Sequence, residues 1–229
     1  MYKKPKVNKI YASFNHPIID RIVLNKRIEM TKIIKKSIKN FKLNDALDVG
    51  STSDTAYRSS NYIIKNLTEI KKKYSLSDQF IKSKLFDKNF KKSIIDKFSK
   101  SEITKIKSDI VLSNATIEHV GSFKNQIKMT KNMIGLAKKI FIISTPNRFH
   151  PIEFHTKLPF LHWLPKKIHR KILNILGFKF HAKEKNLNLL SKTDLIEIMR
   201  ILKFKNFKIF NIKFFGITSN YILVGKIKH

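Results

Sequence analysis

Two short runs of the chain gather the side chains best suited to moving a proton. SNATIEHVG, from Ser113 to Gly121, sets Glu118 beside His119, and STPNRFHPIEFHT, from Ser144 to Thr156, carries Arg148, His150, Glu153 and His155. A neutral imidazole, with an unperturbed pKa of about 6.5, can take a proton from a hydroxyl at ordinary pH. His119, His150 and His155 are the imidazoles these runs offer. A third run, LDVGSTSD from Leu47 to Asp54, has a different chemistry. Asp48 ends a short apolar stretch, Gly50 lets backbone approach a ligand, and Ser51 and Thr52 add small hydroxyls. A buried strand running into such a turn is where open α/β sheets hold nucleotide-like ligands. The turn reads G-S-T-S-D, so it lacks the G-x-G-x-x-G of dinucleotide sites. Glu153 and His155 with His150 are loosely spaced, Pro151 interrupts them, and nothing matches H-E-x-x-H, so no metal is expected. The chain has no cysteine, which excludes disulfides and thiolate zinc sites.

These residues need elements to carry them. Apolar spacing predicts a helix over Pro17 to Lys39 and buried strands at Ala46 to Val49, Asp109 to Ser113 and Lys139 to Ser144. Helices are expected at Ser59 to Leu67, Phe123 to Ala137, Lys166 to Leu176 and Thr193 to Leu202, the last capped by Ser191. Lysines interrupt every apolar run between Ile70 and Ile106, where weak strands are placed at Lys72 to Leu76 and Lys92 to Ile95. Two final strands, Phe207 to Phe214 and Tyr221 to Ile227, flank the turn-prone GITSN. This alternation predicts a parallel sheet with helices on both faces. The whole chain, 1–229, reads as a single domain, with a basic segment and helix over 1–42 and a substrate-side insertion or lid over 145–190. That insertion is irregular, rich in proline and aromatic, and follows a strand end, which is where functional loops sit.

The formal charge of +32 would ordinarily point to nucleic acid or an anionic membrane surface. Only six of the 48 basic residues are arginine, however, whereas isoleucine numbers 35 and alanine six. Lys, Ile and Asn enrichment of this kind is what AT-rich coding produces, and the lysines are dispersed. A reader of phosphate and guanine would use the planar fork of arginine more often. No specific nucleic-acid partner is therefore expected, although weak salt-sensitive binding to polyanions and peripheral membrane contact are compatible with the charge. The N-terminus lacks the apolar core of a signal peptide, and no apolar run approaches the ~18 residues of a membrane span, so a cytoplasmic location is expected.

Asp48-x-Gly50-x-Thr52 after the first strand, a later acid near the end of a second, and SNATIEHVG after the fourth resemble the class I S-adenosylmethionine-dependent methyltransferases. The stretch from Asp109 to Pro165 is similar to the type 11 group of that family. The resemblance runs from Leu43 to Ile227 and implies a Rossmann-like, seven-stranded, mostly parallel sheet with an antiparallel last strand and helices on both faces. It implies S-adenosylmethionine as cofactor, with Asp48 anchoring the methionine amino end indirectly or through water. Gly50, Ser51 and Thr52 would line the amino-acid moiety, Asp78 would meet the ribose hydroxyls and Asp96 the adenine amine. Asn114 and Ala115 would face the cofactor, with Glu118 and His119 beside the reacting methyl; His119 would then be the first candidate base and His155, just after the fifth strand at the same edge of the sheet, the second. Thr52 and Asp54 stand where the family has its second and third glycines. On the acceptor side Arg148, Glu153 and Trp163 are the expected substrate contacts. The implied reaction is methyl transfer to a small-molecule, glycan or lipid-linked acceptor at oxygen. RNA or protein methylation, and cofactor or membrane-surface binding without catalysis, are the rival readings.

Overall fold

Apolar residues alternate along the central strands, and each alternate set feeds a different core. In a computed structural model, which describes residues 17–53 and 57–227, Val111, Phe141, Ile143 and Leu223 face one core while Ile110, Ile140, Ile142 and Ile222 face the other. Period-two burial on both sides is what a sheet sandwiched between helices requires. The basic segment up to residue 16 and Asp54 lie outside the described residues.

The strands are β1 (Asp45–Val49), β2 (Lys72–Ser77), β3 (Lys88–Lys91), β4 (Ser108–Asn114), β5 (Ala137–Pro146), β6 (Phe207–Phe214) and β7 (Ile217–Lys226). They form one seven-stranded sheet in the order β3-β2-β1-β4-β5-β7-β6. Pairings from β3 through β5 are parallel, and β7 runs antiparallel to both β5 and β6. The helices are α1 (Pro17–Ile38), α2 (Tyr62–Asn66), α3 (Lys100–Ile106), α4 (Phe123–Leu136), α5 (Lys166–Ile175) and α6 (Lys192–Ile201). Met30, Ile34 and Ile38 of α1 join Ile63 and Ile64 of α2 on one face; Met129 and Met133 of α4 join Leu195, Ile198 and Met199 of α6 on the other. Among the described residues no helix is long and apolar enough to cross a membrane.

The structure corrects three expectations. The strand expected at Lys92–Ile95 lies at Lys88–Lys91; Ile94 is buried in a turn beyond it, and the carbonyls of Ile94 and Asp96 accept from Asn132 Nδ2 on α4. The helix expected from Ser59 is only α2, because Asn61 takes a left-handed conformation (φ 49°) just before it. The last turn is Phe215–Gly216, both at positive φ, so Ile217 to Asn220 belong to β7 rather than to a loop. Paired left-handed residues are what a two-residue hairpin needs to match strand twist. An additional helix, α3, is started by a capping box between Ser99 and Glu102.

One close approach fixes the pairing of β5 with β7. Phe141, fully buried, lies directly opposite Gly225, and a Cβ there would fall 2.1 Å from the Phe141 ring. Gly225→Ala is expected to destabilise the fold by the ~1–3 kcal/mol typical of overpacking, read as a lower urea midpoint with an unchanged slope.

Candidate functional site

The carboxyl ends of β1, β4 and β5 meet at one edge of the sheet. Gly50 follows β1 at φ +83°, and a Cβ there would sit 2.2 Å from Thr116 Oγ1. Only glycine allows the turn after β1 to close on the turn after β4 this tightly. Thr116 Oγ1 and Ser113 Oγ both donate to the Val49 carbonyl (3.3 and 2.9 Å), and Gly50 N–H donates to Leu76 O (2.9 Å). Where the glycine-poor loop continues, Asn61 clamps it: Thr52 N–H donates to Asn61 Oδ1 (3.1 Å) and Asn61 Nδ2 donates to Thr52 O (2.7 Å). This clamp had no signature in the sequence beyond an asparagine near a turn.

Asp48 is buried at the end of β1 and accepts from Ser51 Oγ at 2.6 Å. Burial pushes its pKa from 3.8 up to about 6, against the Ser51 hydrogen bond and the charge of Arg27. A carboxyl raised in the folded state holds its proton more tightly there than when unfolded. Its contribution is therefore present below pH 3.8 and is lost as pH rises to about 6 and beyond. Asp48→Asn is expected to remove this dependence and to stabilise the ligand-free protein above pH ~7 by at most ~3 kcal/mol, seen as a higher thermal midpoint.

The other residues expected at the cofactor edge are spread along it. Asp78 directly follows β2 and is exposed, with Ser77 Oγ 3.4 Å from its Oδ1. Asp96 lies past β3, exposed, its N–H donating to Ser93 O at 3.1 Å. Asn114 Oδ1 accepts from Ser144 Oγ at 2.6 Å, so its carboxamide ties β4 to β5. Ala115 has φ 53°, a left-handed conformation that costs an L-residue about 1–2 kcal/mol and turns the chain sharply after β4.

That turn leads into the short helical turn Ile117–His119. Gln126 of α4 holds it by donating from Nε2 to Ile117 O (3.2 Å) and Asn188 O (2.7 Å). His119 Nδ1 donates to Asn186 O (2.7 Å), and its Nε2 faces His155 Nε2 at 3.2 Å. His155 Nδ1 in turn bonds Glu153 Oε1 at 2.6 Å. Burial, with the neighbouring His155, lowers the His119 pKa to about 3. His155 is raised instead, because Glu153 outweighs the effect of its burial. The same ion pair and four hydrogen bonds hold Glu153 well below the carboxylate range in spite of its burial. Glu118 is fully buried, accepts from Thr145 Oγ1 at 3.0 Å through Oε2, and has no hydrogen-bond partner at Oε1 among the described residues. Burial pushes its pKa up.

Of the expected substrate contacts, only Trp163 is well exposed (44%), with Nε1 donating to His150 O at 3.3 Å. Arg148 spends its guanidinium on His162 O and Leu164 O (3.3 and 3.0 Å), pinning the insertion to the sheet. Glu153 is 2% exposed, and its two oxygens accept four hydrogen bonds from His155 and Thr156. His150 turns its Nδ1 to Ile152 O (3.0 Å), away from these groups. The donor atoms that do converge are those of Glu118, His119 and His155, all within 4.8 Å of one another, a set able to hold a metal ion. Glu153, His155 and His150, on which the expectation of no metal rests, share one loop, whereas this set draws on two.

No protein-family model matches the chain, and no curated protein matches its sequence. Solved structures do match its fold. The magnesium protoporphyrin IX methyltransferase of Synechocystis PCC 6803, with bound S-adenosylhomocysteine, superposes with a TM-score of 0.54 at 12% identity, over 96% of this chain and 91% of that one. The plantazolicin methyltransferase BpumL, also with S-adenosylhomocysteine, gives 0.55 at 12% identity over 92% and 85%. The small RNA methyltransferase HEN1 gives 0.52 at 12% identity over 96% of this chain and 27% of that one. The chain thus has the fold of the class I S-adenosylmethionine-dependent methyltransferases.

Proposed function

We propose that this chain transfers a methyl group from S-adenosylmethionine to an oxygen of a small-molecule, glycan or lipid-linked acceptor. The observation that carries the reading is the closure of Gly50 on Thr116, which places the turn after β1 directly against the segment bearing Glu118 and His119. The donor edge and the imidazole cluster thereby share one end of the sheet. The residues suit the cofactor: a glycine that no side chain could replace, a buried carboxylate at Asp48, and the exposed Asp78 at the end of the neighbouring strand. When bound, S-adenosylmethionine supplies a sulfonium methyl that is already activated.

In this reading the Asp48–Thr52 turn and the Asn114–Ala115 corner hold the amino-acid end, Asp78 the ribose and Asp96 the adenine. The chain's main task is then alignment, since holding two reactants in line can remove a large part of a barrier. Methylation at oxygen also needs the hydroxyl proton drawn off, and Glu118, His119 and His155 are the groups stationed to assist. The insertion over 145–190 acts as the acceptor-side wall or lid. Its outer surface mixes exposed Trp163, Leu164, Ile168 and Ile175 with Lys167 and Lys171, which suits an acceptor carried at a lipid surface.

Calorimetry with S-adenosylmethionine tests the donor half, and absence of binding at millimolar ligand would sink the enzyme reading. Cell extract supplied with labelled methyl donor, then separated into lipid, polysaccharide, small-molecule and RNA fractions, tests the acceptor half. Label in the first three fractions is the expected result. Label in RNA, with binding that weakens steeply as salt rises, would replace this acceptor class with RNA.

A further inference from the structure

We propose that Glu118, His119 and His155 form a binding site for one divalent first-row transition-metal ion. The inference deepens the function proposed above by naming what acts on the acceptor oxygen, but its test does not depend on that function.

His119 Nδ1 faces the Asn186 carbonyl at 2.7 Å and His155 Nδ1 faces the Glu153 carboxylate at 2.6 Å, so each Nδ1 carries the ring hydrogen. A neutral ring in that tautomer presents its lone pair at Nε2. The two Nε2 atoms point at each other from 3.2 Å, an arrangement that needs a positive charge between them. Two imidazole nitrogens bound tetrahedrally to one ion at about 2.0–2.1 Å stand about 3.3–3.4 Å apart, close to the observed separation. Glu118 supplies the second, independent observation. Its side chain is 0% exposed and its Oε1 has no hydrogen-bond partner among the described residues, while lying within the same 4.8 Å group. An unsatisfied buried carboxylate oxygen is costly unless a cation or donor meets it.

The surroundings are those of a metal site as well. Ligating histidines characteristically donate their other nitrogen to a carboxylate or a backbone carbonyl, which fixes ring orientation and raises basicity. Glu153 and Asn186 O are those two partners here. Thr145 orients Glu118 through Oε2, and Gln126 pins the turn that carries both Glu118 and His119. Two imidazoles and one carboxylate favour zinc, manganese, iron or cobalt over magnesium and calcium, which prefer all-oxygen sites. Three ligands from the described residues leave room for a further one, and an acceptor hydroxyl entering there would be acidified by the ion.

The full-length protein, freed of metal by a chelator, is titrated with Zn2+ in a calorimeter and with Co2+ under visible absorption, both without S-adenosylmethionine. One ion per chain is expected, with a Co2+ band in the visible. Glu118→Gln and His155→Asn should each weaken binding at least ~100-fold, and Glu153→Gln, which alters a supporting partner, by ~10–100-fold. His169→Ala, outside the cluster, should bind as the unaltered chain does. Circular dichroism confirms that each variant folds; if Glu118→Gln does not, His119→Asn takes its place. The proposal is overturned if no ion binds, or if the ion binds equally to the unaltered chain and to the folded cluster variants; a shared proton then holds the imidazole pair. A chain that binds Zn2+ but not S-adenosylmethionine refutes the proposed function and leaves this site standing. One that methylates but binds neither Zn2+ nor Co2+ does the reverse.

Discussion

Titration of S-adenosylmethionine into Gly50→Val is expected to give no binding at ligand concentrations that saturate the unaltered chain. Two costs combine at this position. The backbone lies at φ +83°, where a β-branched L-residue is strongly disfavoured. The added Cβ would also meet three side-chain atoms of Thr116 between 2.2 and 2.9 Å, so that either the turn after β1 or the turn after β4 must move. Both turns belong to the proposed cofactor edge, and Thr116 is one residue from the start of the turn that carries Glu118 and His119. The loss should therefore appear in cofactor affinity before it appears in global stability. Combining Gly50→Ala with Thr116→Gly removes the steric part and leaves the conformational part, and it should recover some of the affinity that Gly50→Ala loses. An unchanged Kd in folded Gly50→Val would place the cofactor elsewhere.

The central strands were legible because their chemistry is local. Ala46–Val49, Asp109–Ser113 and Lys139–Ser144 are apolar runs bounded by polar residues, and the structure places β1, β4 and β5 over them with only longer ends. The capping serine of α6 was equally visible, and Ser191 does accept from Asp194 N–H there. The β6 edge of the sheet was legible as well, since Phe207–Phe214 was expected as a strand, but the β3 edge was not. β3 is Lys-Asn-Phe-Lys, an edge strand in which the half-buried Asn89 and Phe90 face a pattern that lysines obscure, while the more apolar Ile94 and Ile95 beyond it are in a turn. Lysine on an edge strand also guards against pairing with other chains, so the residue that hides the strand has a physical reason to be there.

The imidazole cluster was half legible. Glu118, His119 and His155 stood out as residue types, but their meeting joins loops 36 positions apart and depends on how the insertion folds back over β4. Asn186 could not have been found by side-chain reasoning at all, because it is the backbone carbonyl that positions His119, and any residue supplies one. The surroundings of Glu153 were hidden for a related cause. A carboxylate in a polar loop reads as exposed until the loop is seen to bring two backbone N–H groups and a hydroxyl onto it.

Those contacts make Glu153→Ala the most damaging single change expected on the acceptor side. The carboxylate accepts from His155 Nδ1 and N–H and from Thr156 N–H and Oγ1, and it is 2% exposed. Truncation leaves these donors buried without their acceptor and removes the charge that favours a protonated or metal-facing His155. Breaking a buried pair in this way costs ~3–5 kcal/mol, which urea unfolding would show as a lower midpoint. Glu153 touches no part of the Asp48–Thr52 turn, so S-adenosylmethionine affinity should stay close to that of the unaltered chain. Methyl transfer should fall ~10²–10⁴-fold through kcat, the range typical of losing a positioned proton-transfer group. Glu153→Gln separates support from charge. It keeps an oxygen to accept from the backbone and should regain most of the stability while leaving kcat depressed. Recovery of both together would reduce Glu153 to a structural brace, because a neutral amide would then orient His155 as well as the carboxylate does.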